Sequence, residues 1–156
     1  MKAQVAMEYL TTHAWAVLII LVVLIILVSM SFFRPPTPLS CIFPVNFNCA
    51  GFKLTTDGNI SLDIKQNTGH QITIMGFKCT KEASPGVITN TANITISNGD
   101  HAIIANGTNF KCLDLNGVPV TGSIGSAYSG KLYIYYKEDD TGSDHLLGGE
   151  ISAKYE

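Results

Sequence analysis

Charge is scarce in this sequence: 14% of its 156 residues are charged, and the formal net charge is -2. Ten Lys and Arg against twelve Asp and Glu leave no basic footprint, which argues against nucleic acid as a partner. Other absences exclude whole chemistries. No Gly-x-Ser-x-Gly elbow and no phosphate-binding Gly loop occur, so no catalytic residue is assigned and no cofactor is expected. No Cys-x-x-Cys occurs, so a structural zinc site is not expected either. Between Val5 and Arg34 there is no Gly and no Pro, and from Ala3 to Phe33 the one formally charged side chain is Glu8.

That last gap shapes the N-terminal expectation. Ala14 to Phe33 is apolar apart from Ser29 and Ser31. As a helix it would reach roughly 30 Å, the thickness of a hydrocarbon core. Pro35, Pro36 and Pro38 then stop it. The expected organisation is a leader at 1–3, a hydrophobic transmembrane or assembly helix at 4–34, a Pro-rich junction at 35–40 and a head at 41–156. A conventional secretory signal fits poorly. Its apolar region is shorter, and Phe32-Phe33-Arg34-Pro35 is no small-residue cleavage site. A plain single-pass anchor accounts for the apolar run but not for Glu8.

Lys2-Ala3-Gln4 followed by Val5-Ala6-Met7-Glu8-Tyr9-Leu10 resembles the class III signal peptide of archaeal type IV pilins and pilin-like proteins. Thr11-Thr12-His13-Ala14-Trp15-Ala16 is similar to the continuation in that family. The resemblance covers roughly the first 34 residues. It implies cleavage between Ala3 and Gln4 by a prepilin peptidase. It also implies a precursor in the cytoplasmic membrane and later assembly, by the pilus machinery, into a helical homopolymer at the cell surface. There Glu8 would meet the new α-amine of a neighbouring subunit. The physics is compatible, because an ionisable group in lipid is costly and usually has a partner. A simpler role for Glu8 is to cap the helix while snorkelling to the headgroups.

Downstream the periodicity becomes two. Asn59–Lys65 alternates strictly, and Asp57-Gly58 before it signals a hairpin from Phe52–Thr56. Gln71–Met75 alternates as well, but Phe77 and Cys79 fall on the opposite parity, so a bulge is expected at Gly76. Further strands are expected at Ala92–Asn98, His101–Ala105, Lys131–Lys137 and Leu146–Tyr155, with turn signals at Asn98-Gly99 and Asn106-Gly107. The expected fold class is therefore α+β: a long N-terminal hydrophobic α-helix followed by a small antiparallel β-sandwich head, immunoglobulin-like in outline.

Cys41, Cys49, Cys79 and Cys112 all follow the apolar segment, and on an exported head they read as two disulfides. Of three pairings, Cys41–Cys49 with Cys79–Cys112 is favoured, because the first closes a short loop beside the junction. Asn59, Asn93 and Asn106 head N-glycosylation sequons. Asn59 and Asn93 are expected to face outward, since Ile60 and Ile94 point in. Glu138-Asp139-Asp140 with Asp144 is the densest carboxylate group; it lacks EF-hand spacing and reads as a solvated hairpin turn. His70, His101 and His145 have no sequence-local metal partner, so surface or packing roles are expected.

Two function classes follow: a pilus-like filament subunit serving attachment to surfaces or cells, or a monomeric membrane-anchored extracellular binding module.

Overall fold

The computed structural model describes residues 2–32, 38–88, 90–105 and 110–156; within its helix, side chains are described for 13–29. The chain divides into two units, Met1–Pro36 and Thr37–Glu156.

The first unit is one helix, α1 (Lys2–Phe32). Every side chain described in it is exposed, among them Trp15, Leu18, Leu21 and Ile25. The expected class is corrected here. No helix among the described residues is long and apolar enough to cross a membrane. The described fold is mainly antiparallel sheet, rather than α+β built on a hydrophobic helix of membrane-spanning character.

The second unit contains β1 (Ser40–Ile42), β2 (Phe47–Leu54), β3 (Ile60–Gln66), β4 (Ile72–Thr80) and β5 (Asn90–Ile96). It continues with β6 (His101–Ala105), β7 (Cys112–Leu113), β8 (Ala127–Glu138) and β9 (Asp144–Lys154). One sheet has the order β1-β9-β8-β4-β5, with β7 also pairing β4; the other is β2-β3-β6. All pairs are antiparallel except β4 with β7.

Alternation decides which faces meet. Ile60, Leu62 and Ile64 of β3 are buried against Ile72 and Ile74 of β4 and Leu132 and Ile134 of β8 in one core. The parity slip is real: pairing of β4 shifts between Ile74 and Gly76 against both neighbours, and Phe77 and Cys79 are thereby buried too. Several expected strands prove longer, β2 and β8 at their starts. β2 begins at Phe47 and β8 at Ala127. β1 and β7 were not expected, because three and two residues are too few to show a period.

The immunoglobulin-like outline is also corrected. Among the described residues the two sandwich-like sheets hold six and three strands, where an immunoglobulin-like sandwich holds four and three. Both favoured disulfides are present. Cys79–Cys112 joins lateral neighbours within the larger sheet, while Cys41–Cys49 links β1 of one sheet to β2 of the other.

Loop length ranks the two bridges. The pairs are 8 and 33 residues apart, which corresponds to about 2.5 and about 3.7 kcal/mol of denatured-state entropy. Urea unfolding is expected to show a larger loss for the Cys79→Ala/Cys112→Ala double variant than for Cys41→Ala/Cys49→Ala.

Candidate functional site

The richest polar cluster forms where the β8–β9 hairpin meets the loop between β3 and β4. Its foundation is Gln66, a fully buried amide at the end of β3. Its Nε2 donates to the backbone oxygens of His70 at 2.9 Å and Ile96 at 3.1 Å. Its Oε1 accepts from the Thr68 amide at 2.9 Å and hydroxyl at 2.8 Å. All four amide positions are thus used, as burial demands. The Thr68 hydroxyl in turn accepts from the His70 amide, and Gly69 takes φ +94° while its N–H donates to Asn98 Oδ1. The outcome is a held His70.

The hairpin is held from the other side. The Asp139 amide donates to the Gln71 carbonyl, and its carboxylate accepts from Gln71 Nε2 at 2.9 Å and Thr73 Oγ1 at 2.8 Å. Asp140 therefore faces His70, whose Nδ1–H donates to Asp140 Oδ2 at 2.5 Å. Glu138 stands beside them, and its Oε2 accepts from Thr141 Oγ1. One donor atom each from His70, Glu138 and Asp140 lies within 4.8 Å of the others. His145, paired with Tyr136 across the hairpin, stacks on that ring with centroids 5.1 Å apart. Its Nε2 lies 3.5 Å from Glu138 Oε1, within ion-pair range but without hydrogen-bond geometry.

The electrostatics follow. The hydrogen bond to Asp140, and then its charge, raise His70 above the ordinary imidazole value. The same hydrogen bond holds Asp140 below the ordinary carboxylate range. A second pair, His101 Nδ1 with Asp63 Oδ1 at 3.0 Å, bridges β6 and β3 on an exposed face. Elsewhere a cleft of about 390 Å³ lies against β1 and the β8–β9 pair, lined by Ile42, Phe43, Pro44, Lys131, Tyr133 and Glu150.

The other expected site residues are distributed as follows. The side chains of Ala3, Gln4 and Glu8 lie outside the described residues, as does Asn106. Asn93 is exposed on β5. Asn59 corrects the outward expectation: it precedes β3, bridges to Lys111, and has its Oδ1 shielded from water without a hydrogen bond among the described residues. Beside it the Ile60 amide donates to the Phe110 carbonyl. Glu138, Asp139, Asp140 and Asp144 do occupy the β8–β9 turn and its flanks, as expected. What sequence reasoning missed is His70, brought to that turn by strand register.

No protein-family model, no curated protein and no solved structure matches this chain.

Two measurements check the site. Replacing Gln66 by Ala strands the His70 and Ile96 carbonyls, and a loss of about 2–4 kcal/mol in urea unfolding is expected. The second is an NMR titration of His70, expected to fall above 6.5 in the native chain and to move back toward it in Asp140→Asn. Because the folded value is raised, the His70 contribution is complete below 6.5 and lost as pH rises through the folded value. The Asp140 contribution is present above 3.8 and lost as pH falls through its depressed value. The pair therefore stabilises most between those limits.

Proposed function

We propose that this chain is a structural subunit of an archaeal type IV pilus-like surface filament, serving attachment. In this reading a prepilin peptidase hydrolyses the Ala3–Gln4 peptide bond of a precursor at the cytoplasmic membrane. The assembly machinery then adds the mature chain to a helical homopolymer through its N-terminal segment.

The observation that carries the reading is the order Lys2-Ala3-Gln4, then Glu8, then an uncharged apolar stretch, all in register. Support comes from α1, where Trp15 and the Val, Leu and Ile side chains between 17 and 28 are exposed in the isolated chain. Large contiguous apolar surface of this kind marks a face that something else covers. Two disulfides in the β unit are consistent with an oxidising, exported environment. Cleavage would create an α-amine at Gln4, and Glu8 would pair with that amine on the next subunit.

Sequencing of the mature chain from sheared filaments tests the reading. A first residue of Gln4 is expected; a chain that starts at Met1, or one retained in membranes and absent from filaments, would favour the anchored binding module. Glu8→Ala is expected to be processed normally yet to lower filament yield by at least about tenfold, as befits loss of one partner of a desolvated ion pair.

A further inference from the structure

We propose that His70, Glu138 and Asp140 bind a divalent transition-metal cation of borderline softness, for which Zn²⁺ is the probe, and that the ion ties the β8–β9 hairpin to the loop between β3 and β4.

The donor set selects the class. An imidazole nitrogen with two carboxylates suits Zn²⁺ and its neighbours, whereas Ca²⁺ takes six to eight oxygens. Donor atoms of a tetrahedral Zn²⁺ site at about 2.0–2.1 Å from the ion lie about 3.3 Å apart. The present atoms are all within 4.8 Å of one another, and the His70 and Asp140 atoms are closer, at 2.5 Å. Rotations of exposed side chains close or open those gaps, since the His70 and Asp140 side chains are 39% and 56% accessible. Gln66 holds the loop and Asp139 holds the turn from which these side chains rotate.

His145 borders the same cluster through Glu138. His145 Nε2 is shielded from water and makes no hydrogen bond, although its ring is part exposed. A buried polar atom without a partner calls for an explanation. It sits 3.5 Å from Glu138 Oε1, the oxygen that Thr141 leaves uncommitted. When Glu138 turns to a metal, its second oxygen can close on His145 Nε2–H. That is the carboxylate and imidazole support usual around metal ligands. His145 is thus a positioning residue, and the remaining coordination is left to water.

The test titrates Zn²⁺ into the full-length oxidised chain, followed by calorimetry and by imidazole nitrogen NMR. The expected result is one site, with the His70 ring signals shifting and those of His101 unmoved. Affinity should fall at least tenfold in each of His70→Asn, Glu138→Gln and Asp140→Asn, and stay unchanged in His101→Asn. Ca²⁺ at equal concentration should neither shift His70 nor displace Zn²⁺. Circular dichroism and urea midpoints confirm that each variant is folded. The proposal is overturned if no binding occurs below about 100 µM, if His70→Asn binds as the parent does, or if Ca²⁺ competes. None of these outcomes depends on whether the chain forms filaments.

Discussion

The Gln66 side chain is the constraint on which the arrangement of the β unit turns. It is a fully buried amide beside a largely apolar core, so each of its hydrogen-bonding positions must be met. Meeting them takes one carbonyl from β5 at the margin of the larger sheet, one from His70, and two donors from Thr68. Its backbone adds to this, accepting from Gly99 and donating to Asp100 in the turn between β5 and β6. One residue therefore couples β3, the crossing between the sheets and the polar loop. A change in any of them is felt by the others.

The β8–β9 hairpin is the complementary fixed body. It is the most extensively paired strand couple, from Ala127 opposite Lys154 to Lys137 opposite Asp144. Its tip is secured by side chains instead of apolar packing: Asp139 to Gln71 and Thr73, Thr141 to Glu138. Those polar contacts are cheap at the surface and directional, so they specify where Asp140 and Glu138 stand. His70 and Asp140, 70 positions apart in the chain, become neighbours because the register of β4 on β8 places Ile72 opposite Glu138.

Much of the β unit was legible in the sequence because its signals are local. Ile60, Leu62 and Ile64 announce a half-buried strand, and the change of parity at Gly76 announces the bulge. Asn98-Gly99 announces a turn, with Gly99 at φ +84°. What such signals cannot carry is partnership. Asn98-Gly99 looks like an ordinary hairpin, yet the strands it joins belong to different sheets. The fold class is set by the many short strands of the β unit, whose summed weight no single apolar run reveals. Asn59 meets Lys111 through a bridge from far along the chain, and the partners of His70 lie on a hairpin that only long-range pairing brings near. Local pattern gives faces; neighbours come from register.

The placement of the Cys41–Cys49 bridge has a mechanical consequence. The chain enters the β unit through β1, a three-residue strand held to β9 by few bonds, and tension applied there would peel it away early. The bridge passes that load from β1 in one sheet directly to β2 in the other. Pulling on the entry strand therefore draws on both sheets together, and the covalent link bears what three residues of ladder could not.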